Sequence, residues 1–456
     1  MRRALAMGLA LAAAGCAMVG PDYKRPATGL PAAYGEASGT DARMPVPAQW
    51  WMLYGDPTLD ELVRSGLERN ADVRLAVARV EEAQAVLREA RATLLFPLVQ
   101  GNAAASRGRS LQFGTSNNFS LGLSTSFEVD LWGRLRRAER STREELLASR
   151  YARDTVALTL AATIARSYFA ARSLDSQYAA SEEILRAADE SFSLAQKRLK
   201  GGVGSELDVY QAGSLRTASA AQEKEVARQR AALVHQLGVL TGRLDLTLPP
   251  SDVASLPIPP LPPAGLPSEL LERRPDVKQA EAALAAATER IGVARAAQFP
   301  TLTLTGSFGV QSFDSDKLFS TGSRVWSAGG GLVGPVIDAG RYAARTQQAE
   351  AQARQAEAQY QRAVEAAFQD VSDALSNVRL AAAQETDLAS RVQQARGALR
   401  LAELRYESGY SAYLEVLDAQ RTLNDAQLAF IRNRQAYLSF TVDLMNALGG
   451  GWTGGK

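Results

Sequence analysis

Hydrophobic and small residues recur at steps of three and four along two very long stretches of the chain. Neither Leu135 to Lys200 nor Tyr342 to Arg396 contains glycine or proline, over 66 and 55 residues respectively. The spacing is that of one helix face, and at 1.5 Å per residue the first stretch would form a helix of roughly 100 Å. The apolar face is narrow and rich in alanine, so the pattern predicts long rods packed side by side. The clearest run is Ala349, Ala353, Ala356, Tyr360, Ala363 and Ala367.

Each predicted long helix is followed by a break that contains glycine, at 200–205 and at 408–411. Glycine ends helices because it adopts the left-handed conformation without strain. The helical pattern then resumes over Leu207 to Leu240 and over Tyr413 to Leu448. The sequence therefore predicts two antiparallel helical hairpins. A shorter helix is predicted to precede each, at about Thr58 to Leu95 and Ser268 to Ala297.

Between the opening helix and the long helix, the apolar period changes to two. Apolar residues alternate with polar ones from Phe119 to Val129 and from Leu302 to Val310, which indicates strands with one apolar face. Weaker partner strands are predicted at about Leu98 to Ser106 and Val325 to Val333. Strands of about ten residues have the length that crosses a bilayer at a tilt.

Four strands cannot close into a barrel, and open strand edges are not tolerated in lipid. Further copies of the chain must therefore complete the sheet, and three copies would provide twelve strands and six helical hairpins. In that arrangement Phe119 and Phe127 face lipid, while Ser124 and Glu128 line a lumen.

The chain consists of two tandem repeats. Leu67 to Arg74 reappears as Leu271 to Lys278 at a spacing of 204, and Leu237 to Gly242 reappears at a spacing of 207. The repeats are assigned to residues 57–247, with a β-hairpin at about 98–130, and to residues 268–449, with a β-hairpin at about 301–335. Residues 248–267 between them hold eight of the 18 prolines and are predicted to form an extended linker. The flanking segments are a signal peptide (1–15), an N-terminal arm (16–56) and a tail (450–456).

The N-terminus has the pattern of an export signal. Arg2 and Arg3 precede an apolar run that is too short to span a bilayer as a helix, and the run ends in Ala-Ala-Gly before Cys16. This order resembles a bacterial lipobox, and Cys16 is the only cysteine of the chain. We expect Cys16 to carry N-acyl and diacylglycerol lipid after cleavage. Ala17 follows, without the aspartate that retains lipoproteins at the inner membrane, so outer-membrane lipid is the expected partner.

Composition argues against catalysis and against nucleic-acid binding. One cysteine and one histidine leave no Cys/His metal cluster and no Cys–His nucleophile pair, so neither a metal site nor another cofactor is expected. The formal charge is +2, which provides no basic surface for phosphate backbones. No carboxylate pair, phosphate loop or triad has a defensible spacing, so no catalytic residue and no enzyme are predicted.

Several ordered motifs resemble the outer-membrane factor (TolC-like) family, specifically its lipoprotein branch serving resistance-nodulation-division efflux pumps. The resemblance implies a homotrimer whose twelve-stranded outer-membrane β-barrel continues into a long antiparallel coiled-coil α-helical tunnel in the periplasm. It implies a passive exit duct for an inner-membrane pump and a periplasmic adaptor (membrane fusion) protein. The motifs are Cys16 to Pro26, Trp50-Trp51, Asp56 to Asp60, Leu266 to Val277 and Leu417 to Arg421.

The same resemblance implies a gate near the second helical break, at Leu414, Asp418 and Arg421. Spacings of four and three put these residues on one helix face. In a trimer, Leu414 would form an apolar constriction and Asp418 an acidic ring, while Arg421 could hold neighbouring helices. The first repeat has Leu207, Gln211 and Ser214 at these places. The expected adaptor contacts are the tips, Gly202, Val203, Gly204, Ser205, Gly409, Tyr410 and Ser411.

Two other functions remain open at this point. A lipid-anchored periplasmic coiled-coil scaffold would explain the leader and the long helices, but not the four alternating strands. The exit duct of a type I protein secretion system would have the same architecture. The transported substrate cannot be derived from the sequence, although the lipoprotein-branch motifs favour small molecules.

Overall fold

The computed structural model describes residues 18–35, 46–111, 114–262 and 267–452. The predicted signal peptide and Cys16 lie outside these residues. The chain divides into two compact units. The first comprises Met1–Thr28, Ala78–Tyr151 and Lys278–Ala363, and the second comprises Gly29–Val77, Ala152–Val277 and Val364–Lys456.

Eight helices and four strands make up the regular structure of the described residues, together with five short 3-10 turns. The helices are α1 (Pro57–Arg69), α2 (Ala71–Leu95), α3 (Arg134–Lys200), α4 (Glu206–Thr241), α5 (Leu270–Arg273), α6 (Pro275–Ala296), α7 (Arg341–Glu407) and α8 (Tyr413–Ala447). The strands are β1 (Leu98–Ser110), β2 (Gly114–Val129), β3 (Thr301–Ser312) and β4 (Arg324–Val333). The two long helices, α3 and α7, each have 67 residues. No helix in the described part of the chain has both the length and the apolar character needed to cross a membrane.

The four strands of the first unit form one antiparallel sheet in the order β1-β2-β3-β4. Leu123 lies opposite Phe308, and Leu121 lies opposite Val310, so the apolar positions of neighbouring strands share one face. On the other face, the Ser307 and Ser327 hydroxyls are 2.8 Å apart. The predicted alternation is therefore present in the sheet, with Phe119 and Phe127 on the apolar face.

Two strands are longer than the predicted length of about ten residues. β1 has 13 residues and β2 has 16. The alternation ends near Ser106, but the backbone pairing continues to Ser110 opposite Gly114. A sequence pattern reports which side chains alternate, whereas the ladder of backbone hydrogen bonds does not require alternation.

A buried arginine holds the N-terminal segment of the first unit against α3 and α6. The Arg137 side chain is 1% exposed and donates to the Gly20 and Pro21 carbonyls (3.1 and 3.0 Å) and to the Glu289 carboxylate (2.9 Å). Backbone packing is equally close here, since a Cβ on Gly20 would lie 2.5 Å from Gly292 Cα. The segment after residue 17 is thus part of the folded unit.

Large aromatic side chains lie in the otherwise aliphatic core of the second unit. Trp50, Tyr54 and Phe169 are fully buried, with the Tyr54 and Phe169 ring centroids 4.9 Å apart. The Tyr54 hydroxyl bonds to the Thr441 hydroxyl at 2.7 Å, so its polar end is satisfied. Asp56 accepts from the Thr58 N–H at 2.8 Å and caps α1. This arrangement explains the Trp50-Trp51 and Asp56 to Asp60 motifs as structural elements.

The single opening helix predicted for each repeat is wrong, because the first is broken after the 13 residues of α1 and the second after the four residues of α5. Asn70 separates α1 from α2 and donates from Nδ2 to the Leu240 carbonyl at 3.0 Å. Arg274, at the same place in the second repeat, separates α5 from α6 and donates to the Ala447 carbonyl at 3.4 Å. Each break therefore supplies a side-chain donor to the last carbonyls of the returning helix of its own repeat. Pro275 indicates the second break, since the residue before a proline is disfavoured in a helix.

The glycine that follows each return helix is a repeated feature, and in the second repeat the surrounding backbone leaves no space for a side chain there. Gly449 has φ +89°, and an added Cβ would lie 2.2 Å from the Arg273 carbonyl oxygen. We expect Gly449→Ala to destabilise the protein by at least about 1–3 kcal/mol, because a side chain is strained in this conformation and has no space. The readout is the apparent melting temperature in detergent.

Gly397, inside α7, is the matched control for this substitution. A Cβ added there meets no atom within 4 Å. Gly397→Ala is expected to stabilise the helix by about 0.5–1 kcal/mol. Equal melting temperatures for the two variants would contradict the assigned role of Gly449.

Candidate functional site

The candidate site residues lie where the helical hairpins turn, within the second unit. A small apolar cluster brings the ends of α3, α4, α7 and α8 together there. Tyr406 and Tyr413 are its largest members, with ring centroids 5.4 Å apart. The cluster consists of Ala195, Ala212, Ala402, Tyr406, Tyr413, Val416 and Leu417.

The first turn is built by its glycines and by a helix cap. Ser205 and Asp208 form a reciprocal capping box at the start of α4, with bonds of 3.1 and 3.4 Å. Gly202 has φ +72°, and a Cβ on Gly204 would lie 2.9 Å from the Leu199 nitrogen. These glycines are therefore required by the turn itself. Val203 between them is exposed.

The second turn has the same plan with a larger side chain at its apex. Gly409 has φ +77°, and the Tyr410 N–H donates to the Arg405 carbonyl at 2.8 Å. The Tyr410 side chain is 82% exposed, which makes it the most prominent apolar group of the turn. Ser411 follows and is only partly exposed.

The three predicted gate residues share one exposed face of α8. Leu414 is 59% exposed, and Asp418 and Arg421 are exposed as well, whereas Val416 and Leu417 are buried in the cluster. Within the described part of the chain, neither Asp418 nor Arg421 forms an ion pair. Both charges, together with an apolar side chain one turn away, are thus available to groups outside the chain.

An arginine that the sequence analysis did not single out joins the two hairpins at the turns. Arg198 on α3 donates to the Tyr406 carbonyl at 3.0 Å and lies 4.5 Å from the centroid of the Tyr406 ring. Burial raises the pKa of the Tyr406 hydroxyl, which Arg198 partly offsets. The only sequence signal for Arg198 is its position as a basic residue in the last turn of a helix, and such residues are common there.

A carboxylate on α7 is the perturbed acid of this region. Burial raises the pKa of Glu403, and repulsion from Glu407 and Glu190 raises it further. Glu403 therefore takes up a proton at a higher pH than an ordinary glutamate does. Among the described residues, no group of three or more His, Cys, Asp or Glu side chains could hold a metal ion.

A four-stranded sheet with one apolar face, together with two helical hairpins that each contain one 67-residue helix, is typical of helical outer-membrane ducts. The chain belongs to the outer membrane efflux protein family, whose model matches residues 62–243 and 266–450. The two matched segments correspond to the two repeats.

Characterised relatives and solved structures agree over nearly the full length. The solvent efflux pump outer membrane protein SrpC of Pseudomonas putida is 34% identical, covering 99% of this chain and 98% of its own. The pyoverdine export outer membrane protein OpmQ of Pseudomonas putida is 37% identical and covers 92% of both chains. The solved outer-membrane channel OprN is 31% identical, with a TM-score of 0.88 over 95% of this chain and 99% of its own.

These likenesses confirm the predicted family, fold class, function and location. The described strands and helices share the fold of the solved channel OprN. The protein is the outer-membrane exit duct of an efflux pump and extends into the periplasm.

Proposed function

We propose that the protein is a homotrimeric, non-catalytic duct that opens at its periplasmic end to receive substrate from a resistance-nodulation-division pump and a periplasmic adaptor. The observation that carries this proposal is the exposed face of Leu414, Asp418 and Arg421 on α8, which has no ionic partner in the described part of the chain. A face that combines an apolar ring with opposite charges suits a constriction formed by three copies.

Opening the proposed gate requires little free energy. Exposed ion pairs contribute only about 0.2–1 kcal/mol each, so three copies of an Asp418–Arg421 contact could be broken by a modest interaction elsewhere. Gln211 and Ser214 at the matching places of the first repeat are uncharged. Of these matching places, only those in the second hairpin of each chain therefore carry charge.

The two turns are the proposed contact with the adaptor. Val203 and Tyr410 are both exposed at the turns and present apolar surface to a partner. We propose that the adaptor backbone can approach these turns closely because the side chains around Val203 and Tyr410 are small. The small residues are Gly202, Gly204, Ser205, Gly409 and Ser411.

Tyr410→Asp is expected to abolish most chemical crosslinking to the adaptor, because it puts a charge at the centre of an apolar contact. The substitution avoids Gly202, whose left-handed conformation would strain any replacement. Leu244→Asp is the control, since Leu244 is equally exposed but lies beyond the end of α4. Unchanged crosslinking in Tyr410→Asp would rule out the second turn as the contact.

The lipid on Cys16 remains a proposal, and the fold of the next residues supports it. The Val19 N–H donates to the Trp132 carbonyl at 3.1 Å, and Met18 packs against Gly133. Residue 18, two positions after the predicted lipidation site, therefore lies close to the end of β2. The Trp132 ring stacks on Phe299 at 4.7 Å, and such aromatic groups favour a membrane interface.

Lipidation is tested by the mass of the mature N-terminus. We expect a mass increase that corresponds to three acyl chains with glycerol on Cys16, lost in Cys16→Ala. An unmodified Cys16 in the mature protein would contradict the proposal.

Small organic molecules are the proposed cargo. SrpC is named for solvent efflux and OpmQ for pyoverdine export. Expression in a strain that lacks its own duct should restore tolerance to toluene or antibiotics when the cognate pump and adaptor are present. Restoration of polypeptide secretion alone would favour a type I secretion duct instead.

A further inference from the structure

Two arginines of β1 lie on the face of the sheet that is otherwise apolar. Ala105 lies opposite Phe119 of β2, and side chains two positions apart in a strand share a face. Arg107 and Arg109 therefore continue the apolar face beyond Phe119. The pairing of β1 with β2 runs without interruption to the last residue of β1, so no bulge turns these side chains to the other face.

A third arginine lies on the same face at the other edge of the sheet. Arg324 of β4 lies opposite Val310 of β3, which lies opposite Leu121 of β2. Arg107, Arg109 and Arg324 are exposed, and none of them forms a hydrogen bond or an ion pair within the described part of the chain. The four strands contain no other lysine or arginine.

The polar face of the sheet carries no positive charge. Its one charged strand residue is Glu128, which lies near the helices and accepts from Arg134 at 2.9 and 2.6 Å. The polar-face neighbours of the two β1 arginines are Ser106 and Gly108. The arginines are therefore on the face where contact with water alone would not put them.

We propose that Arg107, Arg109 and Arg324 bind phosphate groups of lipid headgroups in the outer leaflet of the outer membrane, with the apolar face of the sheet towards the lipid tails. A guanidinium binds phosphate through paired hydrogen bonds and is more weakly hydrated than an ammonium. Each arginine near an anionic lipid surface contributes about a factor of five in affinity. The inference starts from the outer-membrane location and is independent of the proposed gate.

The apolar part of this face has the height of a bilayer core. From Val129 to Phe119, β2 advances ten residues, or about 34 Å, which is about 24 Å of height at a tilt of about 45°. Outer-membrane strands typically have an apolar band about 25 Å tall. Arg107 lies opposite Asn117, two residues beyond this band, which puts it about 5 Å into the headgroup layer.

The orientation of the sheet puts this end at the cell exterior. The protein extends into the periplasm, and the helices leave the sheet at the end opposite to the arginines. Arg109 lies two residues farther out than Arg107. Arg324 lies two residues inside the level of Phe119, and its long side chain reaches the headgroups by extending along the apolar surface.

Carboxylates of a second copy are not the expected partners of these arginines. The β1–β2 connection contains no acidic residue. The β3–β4 connection contains Asp314 and Asp316, and both act on a lysine of the same connection. A hydrogen bond to Asp314 (2.9 Å) and the charge of Asp316 raise the pKa of Lys317. The membrane is therefore the source of the anions at the depth of the arginines.

Titration with fluorescent lipid A, a phosphorylated lipid, tests the proposal. The purified protein is held in phosphatidylcholine nanodiscs, and dephosphorylated lipid A serves as the comparison. We expect the parent protein to prefer the phosphorylated form. Arg107→Gln with Arg109→Gln should weaken the binding of lipid A about 25-fold, and adding Arg324→Gln should weaken it by about 125-fold in total.

An exchange of neighbouring residues on β1 tests the face directly. The exchange variant combines Ser106→Arg with Arg107→Ser and Gly108→Arg with Arg109→Gly. It keeps the composition and net charge of the parent protein but moves both arginines to the polar face. Space is present, since a Cβ at Gly108 meets no atom within 4 Å. We expect the exchange variant to bind lipid A as weakly as the double glutamine variant.

A matched control removes two charges elsewhere in the first unit. Arg140 on α3 and Arg354 on α7 are exposed and lie beyond the opposite end of the sheet. Arg140→Gln with Arg354→Gln should bind lipid A like the parent protein. Equal binding by the parent and the exchange variant, or equal binding of lipid A with and without phosphate, would overturn the proposal. Displacement of lipid A by an equal concentration of inorganic phosphate would assign the arginines to a free anion instead.

Folding and conduction are measured separately from lipid binding. The variants should match the parent protein in melting temperature without lipid A and in planar-bilayer conductance. If the exchange variant does not fold, the glutamine variants decide the proposal, and parent-like binding of lipid A by them would overturn it. A parent protein that binds lipid A but never conducts would contradict the duct and leave this inference standing.

Discussion

Replacing Asp418 and Arg421 with alanine is expected to shift the channel strongly towards its open state. If each of three copies loses an exposed ion pair of about 0.2–1 kcal/mol, the closed state loses roughly 0.6–3 kcal/mol. Since 1.4 kcal/mol is a factor of ten, the ratio of open to closed channels should rise about 3-fold to 150-fold. The measurement is the open fraction in planar bilayers, with entry of a large antibiotic into cells as a second readout.

The first repeat supplies the matched control for this double variant. Gln211 and Ser214 occupy the places that correspond to Asp418 and Arg421 but carry no charge. Gln211→Ala with Ser214→Ala should leave the open fraction unchanged. If both double variants behave like the parent protein, the gate does not lie at these residues.

Arg137→Ala is expected to cause the largest loss of stability of any single change considered. The guanidinium is buried and is held by Glu289 and by the Gly20 and Pro21 carbonyls. Its removal leaves Glu289 buried with a negative charge and releases the N-terminal segment. Breaking a buried pair in this way costs about 3–5 kcal/mol. The measurement is the apparent melting temperature of the detergent-solubilised protein.

Arg140→Ala, three residues further along α3, is the control because its side chain is exposed. It should change the melting temperature little. Adding Glu289→Gln to Arg137→Ala should recover part of the lost stability, since the uncompensated charge is then gone. A melting temperature for Arg137→Ala equal to that of Arg140→Ala would show that the buried pair contributes nothing.

The features that follow from periodicity could be predicted from the sequence. The apolar alternation of β2 and β3 determines which side chains share a face, and the register confirms it through pairs such as Leu123 with Phe308. The turns between the long helices and their return helices could also be predicted, because the left-handed backbone at 202 and 409 requires glycine. The spacing of Leu414, Asp418 and Arg421 puts them on one face of α8, whereas the choice of these residues came from the family resemblance.

The features that depend on contacts between distant residues could not be predicted. The break at Asn70 carries no comparable sequence signal, and the Asn70 side chain donates to a carbonyl 170 residues away. Arg137 and Arg198 look like ordinary surface arginines until the N-terminal segment and the second hairpin surround them. No local pattern distinguishes these arginines from the many that remain solvated.

The central claim, that the purified oligomer is a conducting duct, is tested most directly by planar-bilayer conductance of the parent protein. From the proposed gate at Leu414, Asp418 and Arg421 we expect small, brief openings that enlarge in the Asp418→Ala/Arg421→Ala variant. An intact trimer that never conducts would contradict the account and would favour a lipid-anchored periplasmic scaffold.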